Sequence, residues 1–368
     1  MPEITVAIPI YNEEKNLEAC INSVINQSFT DIQVLLVDDG STDSSAELCR
    51  AFAKREPRIE VYHLENRGVS KARNYAITKA EGSYICFVDA DDLIDKNMLE
   101  ELYSCIKSHN ADLSICGHQR VQMNKGKTRI ITHKCPEFNG PIKEFLTEIE
   151  AFLFAESVQG PCGKLYRMSL IKDNMIQFPH ELDFGEDTVF VYRYLSFCKR
   201  VVSINKCLYC YMKRDNTTLS TLFREDKYQR YLYLYDLLEE LLSSFQIPQR
   251  SNIIERWICL SAVDCVRELY DHRYGLAPGR RRSIMRNILL DDQVARCLSR
   301  QRTGTLHFRL ICFFAHNRMF YILDLYFIVL SFTKSRVGLL YALLGKIYNS
   351  QLTKPTKDSF TTWMAHIF

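Results

Sequence analysis

The chain has 368 residues, of which 47% are hydrophobic and 25% charged; this is the composition of a folded protein longer than one average domain and excludes a disordered or low-complexity chain. The formal net charge of +3 hides a split: residues 272–368 carry 15 Lys and Arg against 4 Asp and Glu, a net +11, and residues 1–271 carry 32 against 40, a net −8. An acidic body followed by a basic region facing something anionic is the organisation this suggests.

Ile4–Ile10 (ITVAIPI) is an apolar, β-branched run that reads as a first strand ending at the polar turn Tyr11, Asn12, Glu13. Residues 14–27 place Leu17, Cys20, Ile21, Val24 and Ile25 at three-and-four spacing, an amphipathic helix with Asn12 as its cap. Residues 32–37 give a second buried strand, 43–55 a helix, 59–64 a third strand and 70–80 a helix stopped at Gly82. A fourth strand, 84–88, ends abruptly in Asp89, Ala90, Asp91 and Asp92. Strand and helix alternating about every 25 residues predict right-handed crossovers and a parallel sheet. Beyond a helix at 96–108 and a strand at 113–118 the pattern loosens: a hairpin turn at Asn124, Lys125 and Gly126, loop at 136–141, a helix at 142–155 and a helical turn at 164–171. A helix at 187–197 and a strand at 200–212 follow, and from Thr218 the reading is helical, clearest at 228–245 and 251–270. Fourteen cysteines are scattered from Cys20 to Cys312 with no secretory signal before the first strand, so reduced thiols in a cytoplasmic protein are expected. The one Cys-x-x-Cys, Cys207 to Cys210, has no second pair at zinc-finger spacing and reads as structural.

Three strand ends converge on one edge of such a sheet: Pro9 to Asn12, Asp38-Asp39-Gly40-Ser41, and Asp89 to Asp92. A nucleotide diphosphate fits this rim, with an aromatic for the base, a carboxylate for base or ribose, and paired acids holding a hard cation on the pyrophosphate. The acidic run taken alone is equally a solvated turn, with Asp92 or Asp95 capping the next helix. No Gly-x-Gly-x-x-Gly occurs, and Gly126-Lys127-Thr128 mimics a Walker ending but has Val121 where the first glycine is required, so both of those phosphate motifs are rejected.

VAIPIYNEEKNLEACINSVINQSF, VDDGSTD, NRGVSKARNYAI and FVDADD, in this order and spacing, resemble the family 2 glycosyltransferases with a GT-A fold. GPCGKLYRMSLI followed by FGEDTVF resembles the acceptor half of bacterial members that build capsule, exopolysaccharide and lipopolysaccharide. The match covers roughly residues 3–215. It implies an α/β, Rossmann-like, mostly parallel sheet flanked by helices in a domain at 1–215, with a nucleotide-sugar half (1–120) and an acceptor half (121–215). A helical, basic region at 216–368 follows. The resemblance further implies that Pro9 and Tyr11 line the base pocket, Asp39 accepts from a uracil ring, and Arg73 faces the pyrophosphate. By the same resemblance Asp89 and Asp91 would form an Asp-x-Asp metal site for Mn²⁺ or Mg²⁺, with Asp91 the direct ligand, and Asp92 would touch the sugar or cap the following helix. Asp187 matches the family's general base, and N-capping of its helix is its alternative role. The implied activity is inverting, metal-dependent transfer of one hexosyl or N-acetylhexosaminyl unit from a UDP-sugar to a glycan or lipid-linked glycan. The reading from another class is a catalytically silent partner of a second transferase. A nucleotidyltransferase is disfavoured because the glycine-rich entry loop is absent after the first strand.

The processive synthases' Gln-x-x-Arg-Trp is not matched, since Arg256-Trp257 follows Ile253, and the apolar run 319–332 contains Asp324 and is too short to span a bilayer. Arg280, Arg281 and Arg282, with the aromatic-rich helix after Arg318, suggest peripheral contact with an anionic membrane at the inner face of the cell membrane. Packing of this region on the body or in a homodimer is the alternative, and nucleic-acid binding is not expected because no recognition motif accompanies the arginines.

Overall fold

A computed structural model describes residues 1–124, 127–213, 223–300 and 306–336. The chain divides into two compact units, residues 1–217 with 241–248, and residues 218–240 with 249–368.

The first unit begins β1 (Ile4–Ile10), α1 (Leu17–Ile25), β2 (Ile32–Asp38), α2 (Ser45–Ala53), β3 (Ile59–His63), α3 (Val69–Lys79) and β4 (Tyr84–Phe87). It continues with β5 (Leu93–Ile94), α4 (Met98–Ser108), β6 (Leu113–Asn124), β7 (Lys127–His133), β8 (Phe138–Pro141), α5 (Ile142–Thr147), α6 (Ile149–Phe154), β9 (Lys164–Arg167), α7 (Met168–Asp173), α8 (Glu186–Leu195) and β10 (Arg200–Lys213). All strands join one sheet of order β3-β2-β1-β4-β9-β6-β10-β5, with β7 on β6 and β8 on β10. The β3-β2-β1-β4 half is parallel, and every residue of β1, β2 and β4 is buried, as strands covered by helices on both faces must be. In the other half β9 runs antiparallel between β4 and β6, and β10 lies parallel to β6.

Several local expectations are corrected. The first helix begins at Leu17, and Asn12 does not cap it: Asn12 turns left-handed (φ +53°) and its Oδ1 accepts from the Thr42 backbone, tying the ends of β1 and β2 together. The helix expected over 142–155 breaks at Glu148, although the apolar spacing of Ile142, Phe145, Leu146, Ile149, Phe152 and Leu153 runs through the break. Residues 138–141, expected as loop, form the edge strand β8 against Arg200 to Ser203. Residues 164–167, expected as a helical turn, form β9 because β4 and β6 offer unpaired edges on either side of it. Neither Asp92 nor Asp95 caps α4; its N-cap is Asn97. The expected hairpin is present as β6–β7, with its turn residues Lys125 and Gly126 outside the described residues.

The second unit contains α9 (Lys227–Ser244, whose last turn falls in the first unit), α10 (Arg250–Glu268), a single turn at His272–Tyr274, α11 (Pro278–Leu289), α12 (Asp292–Arg300), α13 (Leu306–His316) and α14 (Phe320–Arg336). No described helix is long and apolar enough to cross a membrane. Asp324 of α14 is buried and accepts hydrogen bonds from Tyr270 Oη (2.8 Å), Arg281 Nε (3.1 Å) and Arg282 Nη1 (3.1 Å), and Arg280 pairs with Glu225 (2.6 Å). The arginine triplet is thus matched by carboxylates of its own unit. Fourteen free thiols are present and eleven are buried, Cys259, Cys265, Cys297 and Cys312 in the second unit.

Candidate functional site

The strand order reverses at β1, between β2 and β4, and this is where an open α/β sheet opens a crevice. Pairing of β1 with β4 ends at Ala7 and Phe87, whereas pairing with β2 runs on to Ile10 and Asp38. Pro9 lies in the stretch that has parted from β4, where its missing N–H leaves no gap in a ladder. It is buried; Tyr11 beyond it is 48% exposed.

Asp39 follows β2 and is buried, its Oδ1 accepting from Arg67 N (3.0 Å) and its Oδ2 from Gly68 N (2.7 Å). It clamps the loop into α3, and each oxygen keeps a second lone pair for a ligand. A cleft of about 650 Å³ opens beside it, lined among others by His63, Arg67, Lys71, Asn74 and Tyr75. Pro9, Tyr11, Arg73, Asp89, Asp91 and Asp187 are not in its lining.

Arg73, on α3, brings two of the expected acids together. Its Nη2 donates to Asp89 Oδ1 (2.7 Å) and its Nη1 to Asp187 Oδ1 (2.6 Å), the guanidinium lies 5.3 Å above the Phe178 ring, and the side chain is 4% exposed. Its Nε is buried without a hydrogen-bond partner. Burial opposes the Arg73 charge, but the Asp187 and Asp89 carboxylates outweigh it and hold the guanidinium ionised. Arg73 is thus a buried bridging cation and not a solvated arginine of a helix surface.

Asp187 is the second residue of α8, after Gly185 in a left-handed conformation (φ +87°) that glycine adopts without strain. No side chain caps α8, so Asp187 is turned to Arg73 rather than used as a cap. Burial pushes its carboxyl up to about 7; Arg73 pulls the other way, and Glu186 and Asp89 add to the rise. Its side chain remains 31% exposed and can be reached from solvent.

The acidic turn sorts its three carboxylates. Asp92 is buried, accepting from Tyr209 Oη (2.8 Å) and Met212 N (2.9 Å); burial, then Asp89 and Asp91, hold its carboxyl well above the usual range. It anchors β10 and does not cap α4. Asp89 is one-third exposed, with Oδ1 on Arg73 and Oδ2 free of hydrogen bonds, and Asp91 is half-buried beside it. Two accessible carboxylates at a strand end form an all-oxygen donor set, which fits Mg²⁺ or Mn²⁺.

The profile of Glycosyl transferase family 2 matches residues 5–174. Glycosyltransferase GlyG of Streptococcus pneumoniae is 32% identical over 231 residues, 60% of this chain and 74% of GlyG. The chain belongs to glycosyl transferase family 2. Poly(ribitol-phosphate) beta-N-acetylglucosaminyltransferase TarS of Staphylococcus aureus is 30% identical over 236 residues, 62% of this chain and 39% of TarS. The crystal structure of S. aureus TarS 1-349 in complex with UDP-GlcNAc aligns with 91% of this chain and 92% of that one, with a TM-score of 0.59 and 21% identity, and shows a shared GT-A fold.

Three residues of this family 2 glycosyltransferase support the site without having been singled out from sequence. Tyr209 Oη donates to Asp92 and accepts from Asp89 N (3.1 Å), fixing the acidic turn to β10. Asn74 exchanges two hydrogen bonds of 2.8 Å with the Phe178 backbone, and Phe178 forms the floor under Arg73. Asn74 had a signal, its place next to Arg73 in NRGVSKARNYAI; Tyr209 and Phe178 are joined to the site only by the fold.

Proposed function

We propose that this glycosyltransferase moves one hexosyl or N-acetylhexosaminyl unit, with inversion, from a nucleotide-diphospho-sugar to a hydroxyl of a growing lipid-linked surface polysaccharide or oligosaccharide. The observation that carries the reading is the buried Arg73, which joins Asp89 at the crevice to Asp187 at the start of α8. A UDP-sugar is the proposed donor, supported by the UDP-GlcNAc bound in the TarS complex of the same fold.

In this reading Tyr11 and the end of β1 border the base, Asp39 accepts from it, and Arg73, buried between Asp89 and Asp187, lends its positive charge to the diphosphate from behind those carboxylates. Asp187 accepts the proton of the acceptor hydroxyl as its oxygen bonds to the anomeric carbon and the bond to the diphosphate breaks, releasing the nucleotide. Its elevated pKa makes it a stronger base than an exposed carboxylate. Asp89 and Asp91 would hold a divalent cation, whose Lewis acidity stabilises the charge gathering on the leaving diphosphate. Residues 1–215 form the catalytic domain in this proposal. Residues 216–368 make peripheral contact with the inner face of the cell membrane, supported by the exposed stripe Tyr321, Leu325 and Val329 on α14.

The test is thermal unfolding with UDP, GDP, TDP or CMP, each with and without Mn²⁺ or Mg²⁺, followed by transfer assays with the sugars of the stabilising nucleotide. A ligand at a hundred times its Kd stabilises by about 2.7 kcal/mol, a measurable shift. A metal-dependent shift with UDP is expected. No shift with any nucleotide would overturn the reading in favour of a silent partner subunit.

A further inference from the structure

The β6–β7 hairpin carries a cluster that sugar transfer does not use. His118 and His133 face each other in antiparallel register, and their rings stack with centroids 4.6 Å apart and planes 6° from parallel. Glu156, two residues beyond α6, brings its Oε2 to 3.9 Å from His118 Nε2, and one ligand atom from each of the three residues lies within 4.8 Å of the others.

A further observation points to a ligand. The His118 side chain is 6% exposed and its Nε2 is buried with no hydrogen-bond partner, an arrangement that native interiors rarely leave uncompensated. The left-handed backbone of Glu156 (φ +53°) is the helix-ending turn of α6, with Ser157 N donating to Phe152 O and Glu156 N to Leu153 O, and the Glu156 carboxylate faces the histidine from there.

We propose that His118, His133 and Glu156 bind a divalent transition-metal ion, zinc fitting them best, between the β6–β7 hairpin and the end of α6 and apart from the Asp89–Asp91 pair. Two imidazoles and one carboxylate suit zinc, whereas Mg²⁺ and Mn²⁺ favour all-oxygen sets. Ligands about 2.0–2.1 Å from a tetrahedral zinc stand about 3.3 Å apart, so binding requires one imidazole to turn out of the observed stack until both lone pairs meet at the ion. Arg120, which now pairs with Glu156 Oε2, competes with the ion for that oxygen. Tyr211 packs edge-on against His118 (4.9 Å) and beside Tyr209 (4.8 Å), whose hydroxyl holds Asp92. An ion here would pin the hairpin and the end of α6 one aromatic ring away from the acidic turn.

The experiment is calorimetric titration of the chelator-stripped full chain with Zn²⁺, repeated with Co²⁺ to read the visible ligand-field spectrum. One equivalent is expected to bind. H133Q and E156Q, at half-buried positions and checked for folding by circular dichroism, should weaken it by about tenfold or more, R120Q should tighten it, and D91N should leave it unchanged. Unaltered zinc affinity in H133Q and E156Q would place the ion on thiols and overturn the proposal, as would absence of binding or its loss in D91N. The UDP-dependent shift is read separately, so failure here leaves the donor site untouched.

Discussion

Arg73 donates through one terminal nitrogen to Asp89 and through the other to Asp187, so a single cation bridges both carboxylates. Asp187→Asn is expected to lower kcat by about 10²–10⁴-fold without loss of UDP binding, as measured by initial rates and nucleotide titration. Because the base works unprotonated and its pKa is raised to about 7, kcat/KM should fall as pH drops through that value. Arg73→Gln removes the cation that opposes the rise, so the inflection of the pH profile should move to higher pH. An unchanged inflection would dissociate Asp187 from the profile. The same substitution strands two carboxylates and should cost about 2 kcal/mol in denaturant melts, below the usual figure for a buried pair because both acids are one-third exposed. At this scale the sequence was informative where a motif names a residue, as with Asp89 and Asp187. It was silent where a side chain acts through the fold, as with Tyr209, 117 residues from the Asp92 it holds.

Elements owe their legibility to where their partners lie. β1, β2 and β4 are buried along their whole length, so an uninterrupted apolar run announces each of them. β8 (FNGP) and β9 (KLYR) have no such run; they are strands because β10, or β4 and β6, present edges to them. The pairing of β1 with β4, which delivers Asp89 to the crevice, depends on Gly82. A Cβ there would stand 2.6 Å from Thr5 N, 2.8 Å from Tyr84 O and 2.9 Å from Ile4 C, all backbone atoms that have nowhere to go. Gly82→Ala should therefore destabilise by about 3 kcal/mol, seen as a lowered Tm, and weaken UDP binding as the strand ends shift. A variant that melts and binds like the parent would show that the strands can separate there at no cost.

At the scale of the whole molecule, the charge split read from composition includes a triplet, Arg280 to Arg282, that carboxylates of its own unit hold. Arg281 and Arg282 serve Asp324, whose carboxyl burial would raise but which the hydrogen bonds from Tyr270, Arg282 and Arg281 hold below its ordinary range. A depressed folded-state pKa stabilises above the unfolded value of about 3.9 and loses that contribution as pH falls through the folded one. Asp324→Asn should lower the melting temperature of the second unit at pH 7, and the gap from the parent should narrow below about pH 4; a gap constant with pH would remove the ionised carboxylate as its cause. The distribution of thiols has a practical consequence. Seven of the eleven buried cysteines lie in the α/β unit and four in the helical one, and a buried thiol reacts with an alkylating reagent only when its surroundings open. Mass-resolved labelling kinetics would thus report the opening free energy of each unit separately in the unmodified protein, with half-buried Cys105, Cys207 and Cys210 as fast-reacting internal references.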